Sequence, residues 1–300
     1  MKSDSAWSEG YTPEDYYNEV QKPYDDLLGP DAVDELFPFV PLMHEYREDA
    51  LRRYRLWVDT VTQGVGLEER MPNPPVASLV SGHYYATLPY AEGVLGDLLI
   101  AQRVGGTRQE VADILAMSFL HGGPYGMNQT ARTLAPVMME WAERDSTPSP
   151  GIQWPDDWTV DASAFRCGVD FSTECPDSTE AAAAEVEQLE EWYRRVQGEV
   201  PGYVDLLAKH YPRALRAFRA RYESSLAGSL PKQFIALCLV HLATCRAQPG
   251  AVRRGLHMAR YFGVKRDHAV QIVTLGMLYL GDIGMDSAVQ GIGDLLDNWD

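Results

Sequence analysis

Two histidines lie at matching positions of two similar stretches, and they are the residues best suited to acid–base chemistry. His83 lies in the apolar run that ends before Pro89, and His241 lies in the apolar run 234–243. A histidine inside an apolar helix is costly unless it finds a partner. A neutral imidazole can also accept or donate a proton near neutral pH. We therefore predict that His83 and His241 are catalytic; the alternative is a pair of satisfied core histidines.

Polar groups surround the first histidine but not the second. The first stretch carries three tyrosines and two carboxylates: Tyr84, Tyr85, Tyr90, Glu92 and Asp97. The second stretch has Leu242, Ala243, Gln248, Gly250 and Gly255 at the corresponding positions. We predict Tyr85 or Tyr90 as hydrogen-bond donor, Glu92 or Asp97 as the group that orients the histidine, and Tyr84 as a substrate contact. If one half is active, this pattern favours the first; alternatively, the tyrosines are large core or interface residues.

Such a cluster has a definite chemistry. A dry pocket shifts the pKa values of tyrosine, histidine and carboxylate toward neutrality, which suits proton transfer or decarboxylation without a cofactor. A substrate carboxylate needs a cationic partner, and Arg253 or Arg254 could supply it. Both arginines follow a loop, however, where a solvated surface role is the simpler interpretation.

Three further residues are predicted to bind substrate. His121 begins the sequence His-Gly-Gly-Pro-Tyr between two predicted helices, Asn128 follows it, and Cys245 lies near the end of the second apolar run. Turn chemistry alone also explains the glycines. Cys238, His241 and Cys245 share a helix face that could supply soft metal ligands, but one straight helix rarely closes a tetrahedral site. Buried cysteines acting as small hydrophobes are the better explanation, so we expect neither metal nor cofactor.

The elements that position these residues occur twice. At an offset of 158 residues, Leu79, His83 and Gly123 fall on identical residues 237, 241 and 281 without a gap. At an offset of 164, the helical segment that precedes the first apolar run aligns with the segment that precedes the second, and Arg55 corresponds to Arg219. The six extra residues of the first copy are assigned to the proline-containing loop 64–75, because loops tolerate insertions.

Helical signals fill both copies. Apolar residues at three- and four-residue steps predict an amphipathic helix over 42–58. Gly105 supplies a helix stop, and the sequence Thr107-Arg-Gln-Glu110 reads as a capping box that starts the next helix. We expect no β-sheet, but two all-α bundles packed about a pseudo-two-fold axis. The predicted organisation is an N-terminal arm (1–36), a first repeat (37–144), a linker plus connecting helix (145–200) and a second repeat (201–300).

Composition restricts the partners. The net charge of −17 over 300 residues argues against nucleic acid and anionic membranes, which bind basic patches. The apolar runs of about ten residues are too short for a membrane span, which needs roughly 20. Four cysteines are too few for a disulfide scaffold, and no signal peptide is evident, so a reducing cytoplasm is expected. A small-molecule substrate is the expected partner.

The order of motifs resembles the carboxymuconolactone decarboxylase and alkylhydroperoxidase D-like superfamily. The resemblance is carried by Ala101-Gln-Arg-Val-Gly105, the capped helix after it, and His121-Gly-Gly-Pro-Tyr125, with Ala259-Arg-Tyr-Phe-Gly263 in the second copy. It covers roughly 40–142 and 203–298. It implies a tandem duplicated alkylhydroperoxidase D-like helical bundle, and a homo-oligomer, in which a trimer of this chain would supply six family units.

The sequence departs from both catalytic patterns of that superfamily. The peroxidase pattern has two cysteines three residues apart, and here Cys245 is followed by Gln248. The decarboxylase pattern has a histidine where this chain has Asp97 and Gly255. The resemblance implies a cofactor-independent lyase that acts on a small carboxylated or lactone-containing substrate. The alternatives are a non-catalytic binding or assembly protein and, less favoured, a thiol-dependent peroxidase.

Overall fold

The regular structure of the chain is helical. The computed structural model describes residues 11–29, 36–72, 75–144, 150–172 and 179–299, and no β-strand occurs in those ranges. The predicted all-α class is confirmed. Parts of the predicted arm (1–10 and 30–35), of the proline-containing loop (73–74) and of the linker (145–149 and 173–178) lie outside the described residues.

The N-terminal part begins with α1 (Pro13–Tyr16), which continues through a π-helical turn (Tyr17–Gln21) into α2 (Lys22–Leu28). The first half then contains α3 (Phe39–Tyr46), α4 (Glu48–Thr62), α5 (Pro75–Ala86), α6 (Ala91–Arg103) and α7 (Arg108–Arg144). The arm packs on its own first half: Arg52 of α4 pairs with Glu19 at 3.0 Å and lies over the ring of Tyr11.

A linker and a connecting helix lead to the second half. The linker contains a short 3-10 helix (Ala162–Phe165) and packs through Trp158, which is 6% exposed. The predicted connecting helix is α8 (Thr179–Gln197). The second half contains α9 (Gly202–His210), α10 (Pro212–Leu226), α11 (Lys232–Cys245), α12 (Pro249–Tyr261), α13 (Arg266–Met277) and α14 (Gly281–Gln290).

Helix boundaries correspond between the halves. At the offset of 164, α3 and α4 fall on α9 and α10, and at the offset of 158, α5 and α6 fall on α11 and α12, in each case within one residue. The helix α7 is kinked at Gly123, whose φ is +68°, and α14 begins at Gly281 with a φ of +63°. Only glycine adopts this backbone region at little cost. Both breaks therefore rest on a glycine identified from the sequence.

The two histidine-bearing helices lie at the centre. Helix α5 packs against α11, and both are mostly buried. Their apolar residues, such as Leu79 and Leu237 with no exposed surface, belong to one continuous core shared by the two halves. None of the helices that the structure describes is long and apolar enough to cross a bilayer.

Candidate functional site

His83 and His121 form a direct pair. His83 on α5 has no exposed surface, and its Nε2 lies 3.1 Å from Nδ1 of His121 on α7. The rings meet edge to face, with centroids 5.3 Å apart. Ser118, one turn before His121, donates a hydrogen bond to the His83 carbonyl at 3.2 Å and so ties the two helices together. Both residues were predicted from the sequence, but their contact was not.

Burial keeps this pair neutral. It lowers the pKa of His121 to about 4 and holds the pKa of His83 well below its usual value of 6.5, with Arg221 and the other histidines adding to the effect. Two neutral imidazoles share one proton in their hydrogen bond. When Nδ1 of His121 donates in this hydrogen bond, its Nε2 is left free to accept a proton.

His121 opens into a cleft of about 300 Å³ in the second half. Its apolar wall consists of Leu239, Leu242, Ala243, Ala251 and Met258. Its polar wall consists of His121, Gln197, Tyr203, Tyr222, Arg246, Gln248 and Arg254. A largely apolar cleft with a few convergent polar groups is the usual form of a small-molecule site.

Two arginines, Arg246 and Arg254, line the cleft. Arg246 donates from Nη2 to the carbonyl oxygen of Thr87 at 3.2 Å and to its Oγ1 at 3.1 Å. Thr87 belongs to the first half, so the guanidinium is fixed across the boundary between the halves. Arg254 donates from Nη1 to Glu199 at 2.9 Å. A guanidinium is suited to bind a carboxylate through two parallel hydrogen bonds.

The corresponding region of the first half is filled by aromatic side chains. The rings of Tyr85 and Tyr90 lie over Gly93, where an added Cβ would meet them at 2.9 and 2.5 Å. Leu36 and Phe37 cover Gly96, each at 3.6 Å from an added Cβ. In the second half the positions of Tyr85 and Gly93 are Ala243 and Ala251, and both line the open cleft.

A small residue and a larger one change places between the halves. In the first half, Asp97 of α6 faces Gly82 of α5, with 3.5 Å between the Asp97 Cβ and an added Cβ. In the second half the equivalent residues are Gly255 and Val240, and an added Cβ on Gly255 would lie 3.0 Å from Val240 Cγ2. The carboxylate is therefore absent from the cleft, and a larger side chain at 255 would meet α11.

Asp97 lies among the tyrosines rather than beside a histidine pair. Its Oδ2 is buried without a hydrogen-bond partner in the described residues, and burial raises its pKa well above the usual value of 3.8. Burial likewise raises the pKa of Tyr85 far above 10, with Tyr279 and Asp97 adding to the effect. In this cluster, burial therefore favours the protonated forms of the Asp97 carboxyl and the Tyr85 phenol. The cluster's predicted catalytic role remains a prediction.

His241 is enclosed by sulfur and aromatic rings. Cys245 Sγ lies 3.6 Å from its Nε2, and the rings of Tyr279 and Tyr84 stand edge-on at 5.4 and 6.0 Å between centroids. Burial lowers the pKa of His241 to about 3 and raises that of the Cys245 thiol. Within the described residues, no group of three or more His, Cys, Asp or Glu side chains could hold a metal ion.

The remaining predicted residues lie apart from the cleft. Glu92 and Asn128 are exposed, and neither lines the cleft. Arg246 and Ala243 line the cleft and were not predicted, whereas Arg254 was one of two arginines offered as a carboxylate partner, with a surface role preferred. One sequence feature could have located the cleft: bulky side chains of the first half are replaced by small ones at equivalent positions of the second half.

A second groove, of about 480 Å³, lies between the arm and α4. Three arginines line it, but Arg52 is paired with Glu19 and Arg55 with Asp59 at 2.6 Å. No histidine or cysteine lines this groove. It therefore offers less chemistry than the cleft at His121.

Comparisons with models of known families, with characterised proteins and with solved structures gave no match to this chain.

Proposed function

We propose that the protein is an enzyme that transfers protons to and from a small carboxylated substrate held in the cleft at His121. The observation that carries this proposal is the pair formed by buried His83 and partly exposed His121, which opens into a largely apolar cleft lined by two arginines. A proton acceptor that is neutral at pH 7 and an anchor for a carboxylate are the two groups that such a reaction needs.

His121 acts as the catalytic base in this proposal. Its lowered pKa leaves the imidazole neutral, so it can take a proton from a substrate carbon next to a carbonyl or carboxylate. The C–H electron pair moves into the adjacent carbonyl as the proton passes to the imidazole. His83 positions His121 through their 3.1 Å contact, in which Nδ1 of His121 donates and Nε2 of His83 accepts. In a decarboxylation, the C–C electron pair moves into the adjacent carbonyl as CO₂ leaves, and His121 relays a solvent proton to that carbon.

Arg246 is the proposed anchor for the substrate carboxylate. Its fixed guanidinium lies in the same wall as His121, and its partners in Thr87 are neutral oxygen atoms. The positive charge is therefore left for the ligand. Such a charge-assisted hydrogen bond contributes about 1.5–3 kcal/mol.

We further propose that the chain is a fused pair of units similar to the carboxymuconolactone decarboxylase superfamily. The matching helix boundaries support a duplication. Gln248 and Gly255, which stand where that superfamily has catalytic residues, both line the cleft. The substitutions mean that His121 takes over a role that the superfamily assigns to other positions. A homo-oligomer, such as a trimer of the chain, belongs to the same proposal.

The experiment is a screen for hydrogen–deuterium exchange at carbon. Small aryl and alkyl carboxylates with an acidic C–H are incubated with the protein in D₂O and followed by proton NMR. We expect exchange that His121→Gln removes and that the exposed control His210→Gln retains. Exchange that is equally fast with His121→Gln would refute the proposed base.

A non-catalytic ligand-binding protein is the second candidate. The replacement of the superfamily's catalytic positions by Gln248, Gly255 and Asp97 favours it. It predicts ligand binding in the cleft with no exchange for any bound carboxylate. A thiol peroxidase is supported by neither geometry nor charge, because Cys245 is buried and its pKa is raised.

A further inference from the structure

A short loop between α8 and α9 forms the rim of the cleft. Gln197 and Pro201 line the cleft, and Glu199 lies between them. Gly198 has a φ of +78°, and an added Cβ there would lie 2.8 Å from the ring of His257. The loop is thus packed closely on α12, the helix that carries Arg254.

Glu199 occupies the guanidinium of Arg254. The bond from Arg254 Nη1 to Glu199 Oε1 is 2.9 Å long, with side-chain exposures of 26% and 51%. Because Arg254 lines the cleft, a ligand carboxylate that reaches this arginine meets a second carboxylate already bound there. Like charges on one guanidinium disfavour each other, so the ligand must displace Glu199 or be repelled by it.

The two arginines of the cleft therefore differ. Arg246 is held by neutral oxygen atoms of Thr87, and no described carboxylate forms an ion pair with it. Arg254 is already neutralised by Glu199. A ligand with one negative charge can pair with Arg246. A second negative charge directed at Arg254 finds no free cationic partner, because Glu199 already pairs with that arginine.

We propose that Glu199 competes with ligand carboxylates for Arg254 and so makes the cleft selective for ligands that carry one negative charge. This inference rests on the proposed function, since it assumes that the cleft binds a carboxylated ligand at Arg246.

The test compares benzoate, isophthalate and the neutral benzamide as probes of the full chain. Affinities are measured by NMR titration for the wild type, Glu199→Gln and the control Glu191→Gln. Glu191 also forms an ion pair on α8, with Arg195 at 3.9 Å, but it does not line the cleft. An exposed ion pair is worth about 0.2–1 kcal/mol, so Glu199→Gln should raise the isophthalate affinity about 1.4- to 5-fold.

The outcomes separate this inference from the proposed function. Under it, the gain for isophthalate exceeds the gain for benzoate, benzamide is unaffected, and Glu191→Gln gives no comparable gain. If Glu199→Gln leaves the isophthalate affinity unchanged, the inference is overturned. The proposed function still stands in that case, provided that benzoate binding depends on Arg246. A reduced affinity shows instead that Glu199 positions Arg254, which also overturns it. Absence of benzoate binding in the wild type refutes both.

Discussion

His241 should make the protein sensitive to acid, because the folded state holds it neutral. Burial lowers its pKa from 6.5 to about 3. Between these pH values the unfolded chain binds a proton at this site that the folded chain does not. The free energy of unfolding therefore falls as pH falls below 6.5, and the site contributes no pH dependence above it.

The magnitude follows from the pKa difference. At pH 5 the unfolded histidine lies 1.5 pH units below its pKa of 6.5, and each unit corresponds to about 1.4 kcal/mol. Protonation of His241 in the unfolded chain should thus lower the free energy of unfolding by about 2 kcal/mol between pH 7.5 and 5. Asp97 changes stability in the opposite sense, because its raised pKa favours a proton in the folded state. A variant is needed to separate these contributions.

The assay measures guanidinium-induced unfolding at pH 7.5 and 5.0 for the wild type and His241→Leu. The contribution of Asp97 cancels in the comparison. We expect the loss of unfolding free energy on acidification to be about 2 kcal/mol smaller in the variant. His210→Leu, at an exposed position, should match the wild type. Equal losses in the wild type and His241→Leu would refute the account of His241 as a buried neutral group.

Two further predictions concern the cleft. Ala243→Tyr introduces the side chain found at the equivalent position 85, which should occupy part of the cleft. It should reduce benzoate affinity about ten-fold in an NMR titration, because the phenol ring takes up space at the apolar wall; unchanged affinity would place the ligand elsewhere. Arg246→Gln should weaken benzoate binding about 10- to 100-fold, the equivalent of a lost charge-assisted hydrogen bond, and leave benzamide binding unaffected. Equal losses for both probes would contradict a carboxylate anchor.

Part of the fold was predictable because short sequence motifs determine where individual helices begin and end. The glycine stop at Gly105 and the capping box at Thr107 match the end of α6 at Arg103 and the start of α7 at Arg108. The single helix predicted over 42–58 is wrong: it is two helices, α3 and α4, separated by the non-helical residue Arg47. The sequence also identified Gly123 and Gly281, whose left-handed backbone accompanies the breaks in both halves.

The location of the open site was not predictable in this way. The sequence places Tyr85 and Asp97 near His83 in the first half, and their polar groups indicated a site there. Those side chains fill space, whereas a cleft arises where side chains are small, as at Ala243 and Gly255. The partner of His83 is 38 residues away, and it is brought close only because α7 packs on α5.

The central claim is that the neutral His83–His121 pair receives the ligand. It is tested most directly by the side-chain ¹⁵N chemical shifts of histidine at pH 7, recorded with and without benzoate. The account predicts neutral imidazoles at positions 83 and 121, shifts of both signals on saturation with benzoate, and an unmoved signal for His210. A charged His121 before ligand is added, or saturable benzoate binding that leaves its signals unmoved, would contradict the account.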